Sequence, residues 1–343
     1  MRYKILGRSG LRAAELCLGT MTFGEEWGWG SSRDESKKVF DSYVNAGGNF
    51  IDTANRYTEG TSEKYVGDFI SKDRESFVLA TKFTLFTKKG DPNASGNHRK
   101  NMVQSVNASL KRLKTDYIDL YWVHAWDFTT PENEVMRALD DLVRSGKILH
   151  IGISDTPAWI VSRSNAIADL KGWTQFTALQ IEYSLIQRTP ERDLLPMANS
   201  LGLAVTPWAV LGSGMLSGKY NRKDLKNKGK SRLDPATTKR LTERNMLIAE
   251  EVIRISKEIG CSPSQTAINW VRQQKGKMIP ILGARTEKQI HDNLSSLEYE
   301  LTKEHLNSLD NVSEIELGFP HDFLNSDIIK DIIYGGTQSL IDM

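Results

Sequence analysis

Short runs of apolar, β-favouring residues recur along the chain and predict eight β-strands. Several runs are apolar at successive positions rather than at alternate ones, which is typical of strands in a parallel sheet that is covered on both faces. The predicted strands are residues 16–19, 49–52, 77–81, 117–124, 149–154, 178–182, 204–208 and 278–282.

Amphipathic helical stretches lie between these strands. Residues 99–114 and 131–145 carry apolar residues at three- and four-residue steps, the spacing of one helix face. Further positions predict where helices begin and end. They are Ser32 with Glu35 as a capping box, Thr130 and Ser262 as N-caps that precede a proline, and Gly47 and Gly146 as C-terminal caps.

Eight successive β-then-α units predict a (β/α)8 TIM barrel, with an open doubly wound sheet as the structural alternative. Before the first strand, residues 3–6 and 11–16 flank Gly-Arg-Ser-Gly and predict a β-hairpin that caps the bottom of the barrel. The chain has no linker rich in Pro, Gly or Ser and no internal repeat. We therefore expect residues 1–343 to form a single domain.

Composition excludes several classes of protein. The 343 residues are 39% hydrophobic and carry 45 Lys plus Arg against 43 Asp plus Glu, so no general basic surface for nucleic acid is expected. Cys17 and Cys261 are too few for a disulfide framework, and no Cys-x-x-Cys pair occurs. The sequence lacks a signal peptide and a membrane span, which predicts a soluble, cytoplasmic protein with no membrane partner.

One segment is locally basic. Residues 219–244 contain ten Lys or Arg and three Asp or Glu, and they follow the seventh predicted strand. We expect this segment to be a mobile loop. Its charge fits a solvated basic surface and a phosphate-facing role equally well.

Four side chains that carry chemistry occur at or just beyond the ends of three consecutive predicted strands. Asp52 closes the second strand, Tyr57 follows it, Lys82 ends the third and His124 ends the fourth. Each residue alone has an ordinary structural explanation, such as a helix cap, packing or solvation. Because the carboxyl ends of barrel strands meet at one mouth, the four together suit proton donation to a carbonyl oxygen.

Each of the four groups has its own expected role in proton donation. A phenol is a weak acid near neutral pH, and the Lys82 cation is expected to lower the pKa of Tyr57 by stabilising the phenolate. Asp52 would hold Lys82 charged, and a neutral His124 would orient the substrate oxygen. None of these groups supplies electrons, so hydride chemistry requires a cofactor.

Other barrel chemistries fit less well. The expected mouth lacks the two opposed carboxylates of a glycosidase, and the six histidines include no close pair for a metal site. A Schiff-base aldolase or lyase with Lys82 as its nucleophile stays open as the weaker enzyme alternative. The Gly-x-Gly-x-x-x-Gly run that starts at Gly212 misses the Rossmann spacing. A phosphate cradle after the last two strands, with Arg285 at the start of a helix, is still consistent with a barrel.

Eight motifs occur in order along nearly the whole chain. They are LGTMTFG at 18–24, NFIDTANRY at 49–57, LATK at 79–82, the strand that ends at His124, GIS at 152–154, QIEYS at 180–184, LGSGMLSGKY at 211–220 and ILGARTEKQIHDN at 281–293. In this order they resemble the aldo-keto reductases. The sequence is most similar to a long-chain bacterial type, close to the aryl-alcohol dehydrogenase-like and potassium-channel β-subunit-like branches.

This resemblance implies a barrel with NADP(H) extended across its mouth and a catalytic tetrad of Asp52, Tyr57, Lys82 and His124. Tyr57 would be the general acid in carbonyl reduction and the base in alcohol oxidation. The implied cofactor contacts are Gly19, Thr20 and Met21 with Asp52 at the nicotinamide end, Ser154, Asp155 and Gln180 at its carboxamide, Trp208 on its ring, Leu211, Gly212, Gly214, Leu216 and Lys219 along the pyrophosphate, and Gly283, Arg285, Gln289, Asp292 and Asn293 at the adenosine phosphate.

Some residues depart from the family pattern. Asp155 stands in place of the usual Asn, so it accepts hydrogen bonds but does not donate them when ionised. Trp208 stands where Tyr is common, Val210 where Pro is common, and Asp292 where Glu is usual. Arg285 is placed to pair with a 2′-phosphate, which favours NADPH over NADH.

Aromatic residues near the expected mouth suggest the substrate class. The implied substrate contacts are Trp27, Tyr57, His124 and Trp126, with Trp29 and Phe128 close by in the sequence. An aromatic wall would suit aryl or other apolar carbonyl compounds, although the same residues also fit a role as loop anchors.

The expected function is NADPH-dependent reduction of aldehydes or ketones, without a metal ion, with homo-oligomerisation possible. The alternative is a regulatory barrel that binds NADP(H) and acts through a protein partner. The chain has no N-terminal extension before the expected barrel, which favours the enzyme.

Overall fold

The computed structural model describes residues 1–222 and 239–342. Its strands are β1 Tyr3–Ile5, β2 Arg12–Ala14, β3 Cys17–Gly19, β4 Phe50–Asp52, β5 Val78–Phe83, β6 Ile118–Val123, β7 Ile148–Ser154, β8 Phe176–Glu182, β9 Ala204–Trp208, β10 Lys277–Met278 and β11 Ile281–Gly283. Its helices are α1 Arg33–Asn45, α2 Thr61–Ile70, α3 Arg99–Leu113, α4 Glu132–Arg144, α5 Ala158–Lys171, α6 Leu194–Leu201, α7 Glu243–Ile259, α8 Pro263–Arg272, α9 Glu287–Leu294, α10 Lys303–Val312, α11 His321–Asn325 and α12 Asp327–Tyr334.

The large sheet is parallel and closes into a (β/α)8 barrel, which confirms the predicted fold. Strands β3 to β9 follow each other in sheet order, and helices separate them along the chain. The eighth barrel strand is made by β10 and β11 together, since β10 pairs with β9 and β11 pairs with β3. Parallel pairing on both sides of this strand joins the last barrel strand to the first.

The eighth strand differs from the prediction. The sequence predicts one strand over residues 278–282, but Ile279 and Pro280 separate two short strands. Pro280 has no N–H to donate to a neighbouring strand, so pairing is interrupted there. Its carbonyl oxygen still accepts a hydrogen bond from the Cys17 N–H at 2.9 Å, and the Ile279 N–H donates to Val205 O at 2.8 Å.

The other predicted strands are present at nearly the predicted positions. Residues 204–208 have the predicted bounds, and the remaining six shift by one or two residues at an end. Strand β5 extends two residues beyond its predicted end, to Phe83, which places Lys82 inside the strand. The basic segment is only partly visible, because residues 223–238 of 219–244 lie outside the described residues.

The helix caps agree with the sequence only in part. Ser262 forms the N-cap of α8 in a full capping box with Gln265, as its Ser-Pro pair predicts. Ser32 accepts from the Glu35 N–H, but the Glu35 carboxylate accepts from the Glu287 N–H instead of closing a box. The Thr130 prediction is wrong. Helix α4 starts one residue later, with Pro131 at its N-cap, and the Thr130 hydroxyl donates to Asp127.

The N-terminal hairpin is present as predicted. Strands β1 and β2 pair antiparallel, with Lys4 opposite Ala13. Leu6, Ala13 and Ala14 are fully buried and pack in one apolar cluster with Phe50, a barrel residue. The hairpin therefore covers apolar residues of the barrel interior.

A tryptophan fills the barrel interior next to a glycine. Trp122 on β6 is fully buried. A Cβ at Gly152 on the neighbouring β7 would lie 2.3 Å from Cε3 of that indole, so only glycine leaves room for it. This filling makes the interior a packed core and leaves the mouth as the place for chemistry.

Candidate active site

The predicted catalytic residues come together at the carboxyl ends of the barrel strands. Asp52 is the last residue of β4, Lys82 lies near the end of β5, and His124 directly follows β6. Tyr57 lies in the turn after β4. Because these strands are parallel neighbours, their ends bring the four side chains to one point of the mouth.

Lys82 lies at the centre of the group and is fully buried. Its ammonium donates to Asp52 Oδ2 at 2.5 Å, to Thr53 O at 2.8 Å and to the Tyr57 hydroxyl at 3.1 Å. These three bonds use all three ammonium hydrogens. Burial alone would lower the pKa of Lys82, but the charge of Asp52 and its contact with Tyr57 outweigh burial and raise this pKa. Lys82 is therefore a cation, which disfavours the Schiff-base alternative.

Asp52 is held on both of its carboxylate oxygens. Oδ2 accepts from Lys82, and Oδ1 accepts from Gln180 Nε2 at 3.2 Å. Its side chain is 3% exposed. The pair with Lys82 is therefore a buried ion pair whose two members depend on each other.

Tyr57 differs electrostatically from the expectation. Burial raises the pKa of its phenol, and the Lys82 cation opposes that rise without reversing it. The predicted lowering by Lys82 is thus one contribution, and the net direction is the opposite. The phenol is protonated near neutral pH and holds a proton that it can donate.

A strained turn fixes Tyr57 in place. Thr58 and Glu59, the two residues after it, both have left-handed backbones, with φ of 45° and 55°. The Thr58 hydroxyl donates to Phe23 O at 2.6 Å and accepts from the Ser62 N–H at 3.1 Å. Non-glycine residues adopt such angles only where surrounding contacts impose them, and these occur most often at functional sites.

His124 packs beside the phenol as a neutral imidazole. Its ring lies edge-on to that of Tyr57, with 5.9 Å between ring centroids. Burial and the nearby Lys82 cation keep the pKa of His124 well below its usual range. A neutral imidazole retains one N–H, so it is able to donate a hydrogen bond to a substrate oxygen.

The residues assigned to the nicotinamide end lie next to the tetrad. Ser154 and Gln180 are buried at the ends of β7 and β8. Thr20 is also buried, and its hydroxyl donates to Asp52 O at 3.0 Å. Gly19 ends β3, and the side chain of Met21 is exposed.

Asp155 and Trp208 form a connected pair at this end. Asp155 follows β7 with a left-handed φ of 42°, and its Oδ1 accepts from Trp208 Nε1 at 3.3 Å. Desolvation of the carboxyl by the groups around it raises the pKa of Asp155 to about 6, although the residue is exposed on one side and the Trp208 bond opposes the shift. Trp208 itself is half-buried and leaves part of its ring accessible.

The glycine-rich turn after β9 offers mainly backbone groups. Leu216 is fully buried, so its side chain belongs to the core and is not available to a ligand. Gly212 is buried as well, and Leu211 is half-buried. Lys219 is exposed, and a Cβ at Gly214 would lie 2.8 Å from its Cε and 2.9 Å from its Nζ. Of these assigned residues, Lys219 brings a cation to the turn.

The segment after β11 divides into exposed and structural residues. Arg285 and Gln289 are exposed, and the Gln289 amide oxygen accepts from the Arg285 N–H at 2.8 Å. Asp292 is engaged elsewhere, because its two oxygens accept from Ser262 and from Gln265, each at 3.1 Å. Asp292 therefore joins α8 to α9, and both of its carboxylate oxygens are engaged within the protein.

Asn293 and Gly283 shape the same segment. Asn293 is buried, and its Nδ2 donates to Gly283 O at 3.3 Å, which ties α9 to the end of β11. A Cβ at Gly283 would meet no atom within 4 Å, so this residue borders open space.

The donor set along this edge fits a nicotinamide dinucleotide phosphate. Hydroxyl, amide and carboxylate groups beside the tetrad match a carboxamide, which both donates and accepts. An accessible indole matches a flat ring. At the other end, exposed Lys219 and Arg285 supply the cations that phosphates require.

The structure also reveals an aromatic cluster that the sequence did not identify in full. Trp27 lies edge-on to Tyr57 at 6.4 Å, and its Nε1 donates to Glu59 Oε1 at 3.2 Å. The Arg56 guanidinium lies 5.8 Å from the Trp27 ring and 4.4 Å from the Phe86 ring. Phe86 was missed because it lies in the long loop after β5, and no local pattern connects it with residues 27 or 56.

Trp126 lines a cleft next to His124, together with Ala125, the residue that follows His124 in the sequence. The cleft has a volume of about 440 Å³ and lies between the loops after β5 and β6. Its lining residues are Thr84, Leu85, Phe86, Pro92, Ser95, Gly96, His98, Ala125, Trp126, Asp127 and Thr129. Phe128 and Trp29 are both exposed.

Metal-ligand clusters and membrane-spanning helices are both absent from the described part of the chain. Within residues 1–222 and 239–342, no three His, Cys, Asp or Glu side chains are grouped to hold a metal ion. In the same part of the chain, no helix has the length and apolar character needed to cross a membrane.

Comparison with known proteins identifies the family. A model described as the aldo/keto reductase family matches residues 15–314. The chain is an aldo-keto reductase. The long match agrees with the order of motifs along the sequence and with the tetrad at the barrel mouth.

Several curated relatives of this aldo-keto reductase are fungal. Norsolorinic acid reductase of Aspergillus flavus is 38% identical over 333 residues, covering 94% of this chain and 84% of its own. Aryl-alcohol dehydrogenase [NADP(+)] of Phanerodontia chrysosporium is 36% identical over 338 residues, covering 91% and 86%. A putative aryl-alcohol dehydrogenase of Saccharomyces cerevisiae is 34% identical over 339 residues, covering 95% and 90%. These relatives fit the aryl-alcohol dehydrogenase-like resemblance, and they give no support to the bacterial assignment.

Proposed function

We propose that this aldo-keto reductase reduces aldehydes or ketones to alcohols with NADPH, and that Tyr57 is the general acid. The observation that carries the proposal is the buried ion pair whose lysine donates to the Tyr57 hydroxyl at 3.1 Å. A bound NADPH supplies the hydride, that is, two electrons and a proton equivalent, to the carbonyl carbon.

The residues of this chain handle the oxygen of the substrate. As the C–H bond forms, the C=O π bond breaks and negative charge develops on that oxygen. The neutral imidazole of His124 donates a hydrogen bond to this charge, and Tyr57 transfers its proton to it. The Tyr57 phenolate left behind pairs with the Lys82 cation until solvent returns a proton.

The ion pair with Asp52 keeps Lys82 charged and in place beside the Tyr57 hydroxyl. All three N–H groups of the Lys82 ammonium donate hydrogen bonds, so its charge stays next to the Tyr57 oxygen. Burial raises the pKa of the Tyr57 phenol, so the resting group keeps its proton. The Lys82 cation stabilises the negative charge that develops on the Tyr57 oxygen as the proton leaves. The arrangement therefore stabilises the transition state more than the resting acid.

The geometry favours aromatic carbonyl compounds as substrates. Trp27 lies edge-on to Tyr57, and Phe86 and Trp126 line the cleft beyond His124. Flat rings bury large apolar areas against such walls. One relative is named as an aryl-alcohol dehydrogenase, and an aryl alcohol is the product that reduction of an aromatic aldehyde would give.

NADPH is favoured over NADH by Arg285. This side chain is exposed directly before α9, where a phosphate would also meet the positive end of the helix. A guanidinium binds a 2′-phosphate through paired hydrogen bonds, which NADH has no group to make.

A substrate panel tests the proposal. NADPH and NADH consumption is measured with benzaldehydes, naphthaldehydes, aryl ketones and short aliphatic aldehydes of matched reactivity. We expect NADPH-dependent reduction with the highest kcat/KM on aryl aldehydes, and a loss of that preference in Trp27→Ala. Tight binding of NADPH with no reduction of any carbonyl would overturn the proposal and favour a regulatory barrel.

A further inference from the structure

We infer that the Asp155 carboxylate makes this mouth discriminate between the two redox forms of the cofactor, binding oxidised NADP⁺ in preference to NADPH. The inference rests on the proposed function and adds an electrostatic role for one residue. The tetrad accounts for the proton in the reaction. Asp155 would act on the charge of the ring that loses the hydride.

Asp155 is exposed to solvent on one side, and hydrogen bonds from its backbone and to its side chain define its position. Its N–H donates to Gln180 O at 3.3 Å, and its carboxylate accepts from Trp208 Nε1 at 3.3 Å. Its backbone has a left-handed φ of 42°, which Asp tolerates better than most residues. The carboxylate is thus held between the ends of β8 and β9.

This carboxylate lies close to the reacting point. Asp155 directly follows β7, and its N–H donates to the carbonyl oxygen of Gln180, whose side-chain amide donates to Asp52 Oδ1 at 3.2 Å. In agreement with this position, the charge of Asp155 adds to the rise that burial causes in the pKa of Tyr57. The substrate oxygen must lie within hydrogen-bond distance of the Tyr57 hydroxyl. The hydride donor must lie about 3–3.5 Å from the adjacent carbon. A nicotinamide ring in that position would lie at the same strand ends as the Asp155 carboxylate.

The two cofactor forms differ in the charge of that ring. The ring carries one positive charge in NADP⁺ and none in NADPH, whereas the rest of the two molecules is the same. A nearby carboxylate attracts only the charged ring. At a separation of about 7 Å and an effective dielectric constant of 20–40, the attraction corresponds to about a tenfold difference in affinity or more.

The same attraction acts during the reaction. Positive charge develops on the ring as the hydride leaves, so the Asp155 carboxylate favours the transition state as well as the oxidised form. Hydride transfer within the complex is thereby biased toward the alcohol. The cost is slower release of NADP⁺ after each turnover.

The neighbouring charges do not cancel this difference. Within residues 1–222 and 239–342, the charged or titratable groups that act on or face Asp155 are Lys82, Tyr57 and Glu182. Lys82 keeps its charge and repels the NADP⁺ ring to the same extent in wild type and in Asp155 variants. Glu182 is paired with Arg240, which offsets its charge.

The test is the ratio of two dissociation constants measured by isothermal titration calorimetry, one for NADP⁺ and one for NADPH. Asp155→Asn removes the charge with almost no change in shape, and Asn also tolerates the left-handed backbone. Asp34→Asn, an exposed position in the first turn of α1, is the matched control. At pH 7.5 we expect Asp155→Asn to weaken NADP⁺ relative to NADPH by about tenfold, and Asp34→Asn to leave the ratio unchanged.

A pH series on the wild type tests the inference without any variant. Because the pKa of Asp155 is about 6, the preference for NADP⁺ should fall as the pH decreases from 7.5 to 5. The 2′-phosphate also titrates near pH 6, but it is common to both nucleotides and cancels in the ratio. Trp208→Phe removes the indole N–H that lowers this pKa, so it should move the midpoint of the fall to higher pH.

The outcomes separate the two proposals. If both nucleotides bind and the ratio is the same in wild type and Asp155→Asn, and independent of pH, the inference is wrong while the proposed function stands. If the wild type binds neither nucleotide, the proposed function fails and the inference fails with it. A tenfold change in Asp155→Asn together with the pH dependence supports the inference.

Discussion

Replacing Lys82 with Met should damage both the fold and the reaction, for separable reasons. Methionine keeps a flexible side chain of similar length but has no charge. In the variant, Asp52 remains buried with its side chain 3% exposed, and Gln180 is the hydrogen-bond partner that it retains. The variant is therefore expected to lose stability because the Asp52 carboxylate stays buried without its counter-ion.

The magnitude is that of breaking a buried ion pair by removing one partner. We expect the free energy of unfolding to fall by about 3–5 kcal/mol at pH 7. The double variant Lys82→Met/Asp52→Asn no longer buries a charge and should regain at least half of this loss. Neither variant should reduce carbonyl compounds, because the Tyr57 phenolate would form without a cation beside it.

The sign of the pH dependence distinguishes this explanation from loss of packing. An unpaired, buried Asp52 would have a folded-state pKa above that of the unfolded chain. Its destabilising effect in Lys82→Met is therefore largest above that folded-state pKa and decreases as the carboxyl becomes protonated at lower pH. Urea unfolding at pH 7 and pH 5, followed by tryptophan fluorescence, measures both effects. A loss below about 1 kcal/mol, or a double variant less stable than the single, would refute the reasoning.

Further variants test individual contacts. Gly152→Ala should lower the free energy of unfolding by about 1–3 kcal/mol, because its Cβ would lie 2.3 Å from the Trp122 ring; urea unfolding measures this, and unchanged stability would contradict the tight packing. Asp155→Asn should raise Tm at pH 7.5 by on the order of 2 °C, reduced by solvent screening, since an ionised Asp155 with a pKa of about 6 costs stability. Thermal scans should show that this gain disappears as the pH falls through 6 toward 4. Arg285→Gln should weaken NADPH binding by about tenfold and NADH binding by less than threefold, measured by fluorescence titration; equal losses would exclude a phosphate contact.

The barrel was predictable because burial determines its strands locally. The apolar residues 78–80 of β5 are recognisable from the sequence, whereas the buried Lys82 extends the strand beyond its predicted end. The break in the eighth strand carried a visible signal, Pro280, whose missing N–H interrupts pairing. Thr130 was misplaced as a cap because its hydroxyl bonds to Asp127, a choice that depends on the turn around it.

The tetrad was predictable because its members lie at or just beyond strand ends, which a barrel brings together. Its electrostatics were not. The net rise in the pKa of Tyr57 depends on burial of the hydroxyl, which exists only in the folded mouth. The contact of Arg56 with Phe86 likewise joins distant loops, and Leu216 proved to be a core residue. The single domain, the cytoplasmic location and homo-oligomerisation stay predictions.

The most direct test of the central claim is single-turnover hydride transfer in wild type and Tyr57→Phe. Each protein is saturated with NADPH and mixed rapidly with an aryl aldehyde, which separates the chemical step from nucleotide binding and release. We predict that Tyr57→Phe binds NADPH with an affinity within about twofold of wild type and transfers hydride at least ~10²-fold more slowly. A transfer rate within about threefold of wild type would contradict the role of Tyr57 as general acid.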